Sequence, residues 1–135
     1  MDWWTSTSTT KRPKKRKRLI DSSIPTEDQE QKRLATWMAN RGIKFFAIPM
    51  GGSRHIAEAV KLKACGAMPG IPDLMIPVAR KSYNGLFIEL KRVKGGVVSF
   101  NQTYWLESLT KEGYLAVVCR GADEAIAVIE DYFKV

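Results

Sequence analysis

The sequence has few of the residues on which many small enzymes and metal sites are built, with one histidine and two cysteines among 135 residues. Cys65 and Cys119 offer neither a CxxC pair nor a disulfide framework, so we expect both to be reduced thiols in the core of a cytoplasmic protein. With His55 as the sole histidine, Ser-His-Asp catalysis and histidine-rich metal sites have almost nothing to build on. The sequence shows no zinc-ligand spacing and no internal repeat.

Long apolar runs are also missing. No stretch of about 18 apolar residues could span a bilayer, and the N-terminus lacks the basic-then-apolar order of a signal peptide. We therefore expect a soluble protein without a membrane partner. At 135 residues and 44% hydrophobic, the chain can build one sizeable core and leaves no room for a second.

Acidic residues are outnumbered, and the excess of cations is concentrated at the N-terminus. The formal charge is +8, and before residue 21 seven cations stand against Asp2 alone, which leaves +2 for the remainder. These cations are Lys11, Arg12, Lys14, Lys15, Arg16, Lys17 and Arg18. A polyanion is the natural partner of such a block. We predict a disordered tail over residues 1–23 that acts as a DNA arm; a localisation signal or a solubilising tail would have the same composition.

Hydrophobic periodicity and capping signals predict the order helix, strand, helix, two strands, helix, strand, helix for a single domain over residues 24–135. The predicted helices are 26–42, 56–65, 99–112 and 122–133, and the predicted strands are 43–48, 74–78, 86–91 and 114–119. The spacing in the second helix turns Ile56 and Val60 inward. This order predicts an α/β fold with one mixed sheet flanked by helices.

Two of the predicted strands carry acidic residues in an unusual pattern. Apolar residues alternate along 86–91, which puts Glu89 and Lys91 on one face of the strand. Charges on an apolar strand are costly to bury without a partner, and such perturbed groups gather at functional sites. Asp73 heads the preceding strand after a Gly-Ile-Pro turn, and a hairpin would bring it alongside Glu89. Two carboxylates suit Mg²⁺, and Lys91 could then orient or deprotonate a water.

Each half of this pattern alone has an ordinary explanation, because Glu-x-Lys occurs on solvated edge strands and Asp73 can be a turn residue. The joint pattern, Gly-Ile-Pro-Asp-Leu followed by Leu-Phe-Ile-Glu-Leu-Lys, is much rarer. It resembles the PD-(D/E)XK nuclease superfamily, and in particular its VRR-NUC branch, which is found in phage replication and repair proteins. The similarity extends from about Thr26 to the C-terminus.

The resemblance implies a restriction-endonuclease-like core and a Mg²⁺-dependent endonuclease that hydrolyses DNA phosphodiester bonds, with Mn²⁺ as a substitute metal. Asp73 and Glu89 would hold the metal, and Lys91 would act on the water. The resemblance also implies a structured substrate such as a four-way junction or a flap, and a stand-alone protein that works as a homodimer. The setting would be phage replication, recombination or repair in the host cell cytoplasm.

Three further residues have both a structural interpretation and one implied by the resemblance. Acids in the first turn of a helix stabilise its dipole, which explains Glu27 and Glu30 without any site. The resemblance assigns the helical acid of the metal site to Glu27, and Glu30 could serve instead. Gln102 stands at capping-box spacing from Ser99. The resemblance places Gln102 at the border of the active site, and both roles can hold together.

Cations outside the tail are the remaining candidates for DNA contacts. The Gly51-Gly52 loop is either a plain strand-to-helix turn or a close approach to a phosphate. The cations that would line a DNA-facing rim are Arg54, His55, Lys61, Lys63, Arg92 and Lys94. Two other functions stay open: a non-catalytic DNA-binding module on the same fold, and a small-molecule enzyme on an α/β sheet, against which the basic tail argues.

Overall fold

The computed structural model describes residues 21–49 and 56–135. Residues 1–20 of the predicted tail over residues 1–23 lie outside the described residues, as do the loop cations Arg54 and His55. So do the seven predicted arm cations, Lys11, Arg12, Lys14, Lys15, Arg16, Lys17 and Arg18. Residues 21–23, predicted to be disordered, form a hydrogen-bonded turn instead. Of the helices in the described ranges, none combines the length and the apolar character needed to cross a membrane.

The elements follow the predicted order. The helices are α1 (Glu27–Asn40), α2 (Ile56–Ala64), α3 (Phe100–Lys111) and α4 (Ala122–Phe133), and the strands are β1 (Phe46–Ala47), β2 (Leu74–Ile76), β3 (Leu86–Lys91) and β4 (Leu115–Arg120). Thr26 caps α1 as predicted, because its side chain accepts from the backbone N–H of Gln29, whose own side chain accepts from the N–H of Thr26. The four strands form one sheet in the order β1-β2-β3-β4.

The sheet is mixed, which confirms the predicted fold class. β1, β2 and β3 pair antiparallel, with Leu74 opposite Ile88, whereas β3 and β4 pair parallel, with Leu86 opposite Leu115. A parallel pair needs a crossover connection, and α3 supplies it. The strand β3 therefore has a neighbour on each side and is buried along its whole length.

The two faces of β3 have different surroundings. Leu86, Ile88 and Leu90 join the main apolar core, which also receives Leu34 and Met38 from α1 and Ile129 and Tyr132 from α4. Burying a side chain of this size stabilises the fold by about 1.5–3 kcal/mol. The alternate residues Phe87, Glu89 and Lys91 are also buried. The period of two predicted this separation, and it leaves two charged groups inside the protein.

Several predicted boundaries and orientations are wrong. β1 spans two residues rather than six, and β2 ends at Ile76 because the next residue, Pro77, has no N–H for the ladder. β4 begins one residue later than predicted and is mostly half-buried, with Cys119 alone buried, because it lies at the edge of the sheet.

The predicted inward face of α2 is also wrong, and so is the core position predicted for Cys65, which is exposed directly after this helix. Ile56 and Val60 are 82% and 61% exposed, whereas Ala59 and Leu62, on another side of the helix, are half-buried. Apolar residues occupy two sides of this helix, so its periodicity could not decide which side faces the protein.

Candidate active site

Asp73 and Glu89 lie on neighbouring strands at the same level. The antiparallel register of β2 and β3 pairs Leu74 with Ile88, and extending it by one residue sets Asp73 opposite Glu89. Residues directly opposite in an antiparallel pair project from the same face of the sheet. The predicted hairpin therefore brings these two carboxylates together.

The turn before Asp73 fixes the position of its carboxylate. Gly70 has a φ of +87°, and a Cβ at this position would lie 2.5 Å from the backbone carbon of Asn101, so only glycine allows this approach to the start of α3. The next residues lead into β2, and Asp73 Oδ2 accepts from the backbone N–H of Leu90 at 2.7 Å. A carboxylate bound to the neighbouring strand's backbone has little freedom to rotate.

Glu89 is 3% exposed and uses only one of its two oxygens in hydrogen bonding. Glu89 Oε1 accepts from Gln102 Nε2 at 2.7 Å and lies 3.6 Å from Lys91 Nζ. Oε2 is buried and has no hydrogen-bond partner among the described residues. An unpaired buried carboxylate oxygen costs free energy, so its retention points to a partner that binds there.

Gln102 contacts both the helix start and the acid. Its side-chain oxygen accepts from the backbone N–H of Ser99 at 2.8 Å, while its own backbone N–H donates to Ser99 Oγ at 3.2 Å. Its side-chain amide nitrogen remains available for Glu89. The capping box thus orients the amide that holds Glu89 Oε1, and both interpretations of Gln102 are compatible.

Burial and repulsion from neighbouring carboxylates disfavour the charged forms of Asp73 and Glu89. Burial, the Asp73 carboxylate and the Glu27 carboxylate together raise the pKa of Glu89 to about 8, against a smaller opposing effect of Lys91. Burial, followed by the Glu27 carboxylate, raises the pKa of Asp73, while the Leu90 N–H, the Lys91 ammonium and the Glu89 side chain act in the opposite direction. Ionising both carboxyl groups therefore puts excess negative charge in the site, which a cation would relieve.

The structure places the two candidate helical acids at different locations. Glu27 Oε1 and the Lys91 side chain both come within 4 Å of the position that a Cβ on Gly96 would occupy. Glu27 therefore lies at the edge of the cluster and acts on both Asp73 and Glu89.

Glu30 is buried elsewhere, and its assignment as the helical acid of the site is corrected. Its Oε2 accepts from the backbone N–H of Ala122 at 2.5 Å and from Arg33 at 3.3 Å. The carboxylate thus satisfies an orphan donor at the start of α4, where a negative charge also stabilises the helix dipole.

The comparison with known families agrees with this site. The family model of the VRR-NUC domain matches residues 25–123. The chain belongs to the VRR-NUC family. A solved structure of a "VRR_NUC domain protein" is 34% identical in sequence, aligns with a TM-score of 0.63, and covers 81% of this chain and 88% of that chain. No curated protein matches the chain. The VRR-NUC resemblance predicted from the two motifs is confirmed, and the phage setting stays a prediction.

The residues of this VRR-NUC site fit a Mg²⁺ ion. Within residues 21–49 and 56–135, no group of three or more His, Cys, Asp or Glu side chains could hold a metal by itself. Mg²⁺ does not need such a group, because it keeps several waters and binds proteins through one or two carboxylates plus substrate phosphates. Asp73 and Glu89 supply two hard oxygen donors, and the unpaired Glu89 Oε2 is free to accept a cation.

The predicted DNA contacts within the described residues occupy different surroundings. Lys61 and Lys63 are exposed on α2, and Lys94 is exposed in the loop that follows β3. Arg92 is half-buried, and its guanidinium donates to backbone carbonyls of the segment before α1. The structure thus gives Arg92 a role in the fold that the sequence did not suggest.

One residue at this VRR-NUC site was missed from the sequence. Arg120, opposite Lys91 in the β3–β4 register, donates through Nη1 to the carbonyls of Gly95 at 2.9 Å and Gly96 at 3.2 Å. It therefore holds the loop that carries Lys94. The consecutive glycines were the available signal, because two residues at positive φ turn their carbonyls toward a common donor.

Proposed function

We propose that this VRR-NUC protein is a Mg²⁺-dependent endonuclease that hydrolyses phosphodiester bonds in DNA. The observation that carries the proposal is the half-buried Asp73 carboxylate opposite the buried Glu89 carboxylate and Lys91 ammonium, with Glu89 Oε2 left without a hydrogen-bond partner among the described residues. A fold has no reason to bury such a set for stability alone, since replacing buried ions by apolar residues is often neutral or stabilising.

Asp73 and Glu89 would hold the metal, and the Glu27 carboxylate would attract it electrostatically from the edge of the cluster. When bound, Mg²⁺ would polarise the scissile phosphate and lower the pKa of a water. Mn²⁺ should substitute, because the site offers oxygen donors. Metal binding should release protons from the free protein, since a carboxyl whose pKa is about 8 must ionise to bind a cation.

The chain's own side chains orient the reacting groups. Lys91 Nζ, fixed beside Glu89 Oε1, positions the water that attacks phosphorus as an ammonium, or takes the proton of that water as a neutral amine. The bond from phosphorus to the leaving oxygen then breaks, and the leaving oxygen takes a proton from solvent. Gln102 prevents the Glu89 side chain from rotating by binding its Oε1. Asp73 is held in the same way by the Leu90 N–H.

Branched DNA, such as a four-way junction or a flap, is the substrate we propose, and two exposed aromatic rings support it. Phe100 and Tyr104 are 84% and 54% exposed one turn apart on α3, on the side of the helix turned away from Gln102. Exposed aromatic rings can stack on unpaired bases, which branch points supply and continuous duplexes do not. Lys61, Lys63 and Lys94 would bind phosphates of the flanking duplexes, together with the N-terminal cations and with Arg54 and His55.

A homodimer would place two such sites on one junction, matching two symmetric cuts. Ile56 and Val60, both exposed on α2, offer apolar surface that a second copy could cover. We further propose that the protein acts in phage replication, recombination or repair, in the cytoplasm of the host cell.

The test is a cleavage assay on end-labelled duplex, flap and four-way-junction DNAs of one sequence context, each in Mg²⁺, Mn²⁺, Ca²⁺ and EDTA. We expect cutting of the branched DNAs in Mg²⁺ and Mn²⁺, binding without efficient cutting in Ca²⁺, and no cutting in EDTA. Tight binding with no cutting in any metal would instead favour a non-catalytic DNA-binding module. Full activity in EDTA would refute the metal requirement.

A further inference from the structure

Arg92 binds the segment that connects the basic N-terminal block to α1. Its Nη2 donates to the carbonyls of Ile24 at 2.8 Å and Asp21 at 3.4 Å, and its Nε donates to the carbonyl of Pro25 at 3.2 Å. Three carbonyls within five residues thus share one guanidinium, whose planar fork of donors suits this geometry. Arg92 is consequently occupied as a backbone clamp, and its side chain has few donors left for a phosphate.

The same segment begins with a tight turn. The Asp21 carboxylate accepts from the backbone N–H of Ser23 at 3.0 Å and from Ser23 Oγ at 2.6 Å, and the N–H of Ile24 donates to the Asp21 carbonyl at 3.2 Å. The turn and the clamp together fix the backbone from residue 21 to the cap of α1. The chain therefore enters the described fold in a defined position.

That position is beside the catalytic cluster. Arg92 directly follows Lys91, whose Nζ lies 3.6 Å from Glu89 Oε1. Independently, the Glu27 carboxylate in the first turn of α1 interacts electrostatically with both Asp73 and Glu89. The end of the clamped segment that leads into α1 therefore adjoins the site.

We propose that Arg92 is a positioning residue that anchors the basic arm beside the catalytic cluster, so that the arm binds phosphates close to the scissile bond. The inference rests on the proposed DNA substrate and adds a location for the arm. It also replaces the predicted role of Arg92 as a direct DNA contact. Lys94, exposed two residues later, keeps that role and supplies a matched control.

Chain length limits where the arm can act. Arg18 stands three residues before Asp21, and Lys11 stands ten residues before it. Since an extended chain spans at most about 3.6 Å per residue, all seven cations lie within roughly 36 Å of the clamp. At about 3.4 Å per base pair, this reach covers roughly ten base pairs on either side of the site.

The clamp also shortens the link that carries the cations. Without it, the last cation is separated from the first fixed residue, Thr26, by eight residues instead of three. Because loop-closure cost scales as three halves of the logarithm of length, releasing the clamp should weaken the arm's contribution about fourfold. The arm would still make its phosphate contacts in the bound state, so the salt dependence of binding should not change.

A double-mutant cycle on full-length protein tests this role. Arg92→Lys, which keeps the charge but not the fork, and Arg92→Ala are each combined with a second change that replaces all seven arm cations by Gln. Dissociation constants for branched DNA are measured in Ca²⁺ across a salt series, with Lys94→Ala as the control and thermal unfolding as the check on folding. Wild-type cleavage in Mg²⁺ is measured separately and tests the nuclease function.

With the natural arm, both Arg92 variants should bind DNA about fourfold more weakly than wild type, with an unchanged slope of log K against log salt. In the background without arm cations, the same variants should lose no affinity. Lys94→Ala should weaken DNA binding equally with and without the arm cations, and it should reduce the slope of log K against log salt by about 0.9. The proposal is overturned if the Arg92 variants behave like Lys94→Ala, which would make Arg92 a phosphate contact, or if they match wild type. The proposal also fails if replacing the arm cations by Gln leaves DNA binding unchanged. That result would not bear on the proposed nuclease function, which the Mg²⁺ cleavage assay tests separately.

Discussion

Glu89 is the clearest case in this protein of a side chain whose burial costs stability. Its carboxyl is buried on a central strand, faces Asp73 and leaves one oxygen without a partner. Gln102 and Lys91 offset only part of this cost, since the pKa remains raised to about 8. A cation bound with the substrate would offset the remaining cost of burying the Glu89 carboxylate, so the buried acid would favour cation binding.

The raised pKa of Glu89 predicts how the stability of the metal-free protein depends on pH. The group holds its proton in the folded protein up to about pH 8 but releases it near pH 4.5 when unfolded. The contribution of Glu89 to the free energy of unfolding is therefore fully present below about pH 4.5. It is lost as pH rises toward 8, by at most about 1.4 kcal/mol per pH unit. Urea unfolding in EDTA between pH 5 and 8 should show this fall.

Glu89→Gln should flatten that curve, because the amide does not titrate, while Asp73 leaves a residual slope. At pH 8, added Mg²⁺ should stabilise the wild type more than the variant. Parallel pH curves for the two proteins would contradict the assignment of the raised pKa to Glu89.

Gln102 allows its two roles to be separated at the level of single side chains. Ser99→Ala removes the cap of α3 and should cost about 1 kcal/mol of unfolding free energy while leaving cleavage nearly unchanged. Gln102→Ala should cost a similar amount of stability and also lower cleavage about 10–100-fold, since it releases Glu89 Oε1. Equal losses of activity in the two variants would show that Gln102 acts only through the helix cap.

At the scale of elements, α1 and α4 are joined by a buried charge that no local pattern reveals. Glu30 reaches the N–H of Ala122, 92 positions away in the sequence. The first-turn acids of α1 correctly indicated a helix start, but Glu27 and Glu30 look alike in the sequence. Only the packing of α4 on α1 turns Glu30 toward Gly121 and leaves Glu27 near the cluster.

The exposed aromatic pair on α3 yields a prediction about substrate choice. Phe100→Ala and Tyr104→Ala should each weaken binding to flap or junction DNA by about 1–3 kcal/mol for every stacked base lost, and leave duplex binding nearly unchanged. A 2-aminopurine at the branch point, measured in Ca²⁺, should be quenched by wild type and less by the variants. Tyr83→Ala serves as a control on another exposed ring. Equal losses on duplex and branched DNA would rule out base stacking.

For the whole molecule, α2 gives the sharpest prediction about assembly. Its residues Ile56 and Val60 are exposed although the sequence pattern suits burial. If a second copy covers them, light scattering at micromolar concentration should give the mass of a dimer for the wild type. Ile56→Ser combined with Val60→Ser should give the mass of a monomer. A monomeric wild type, or a variant that stays dimeric, would place any dimer contact elsewhere.

The sequence predicted the fold class and the juxtaposition of Asp73 with Glu89, because period-two alternation and a hairpin are local signals. The orientation of α2, the length of β1 and the clamp formed by Arg92 could not be predicted. Each depends on which distant surface a segment meets, and neither propensity nor periodicity carries that information. The capping box at Ser99 was predictable, whereas the second hydrogen bond of Gln102 required the location of β3.

The proposed nuclease function depends on Glu89 acting as a metal ligand rather than as a structural acid, and Glu30 provides a matched control. Both are buried glutamates, at 3% and 4% exposure, and both are hydrogen-bonded. Glu30→Gln weakens a charge-assisted cap and should destabilise the fold by about 1–2 kcal/mol without affecting chemistry. Glu89→Gln removes a charge from the site and should not destabilise the fold at pH 8.

The most direct measurement is the single-turnover rate of cutting a labelled four-way junction in Mg²⁺ by wild type, Glu89→Gln and Glu30→Gln at a temperature where all three are folded. We predict that Glu89→Gln cuts at least about a hundredfold more slowly than wild type while still binding the junction. Glu30→Gln should cut at nearly the wild-type rate. Undiminished cutting by Glu89→Gln, or equal losses in the two variants, would contradict the proposed site.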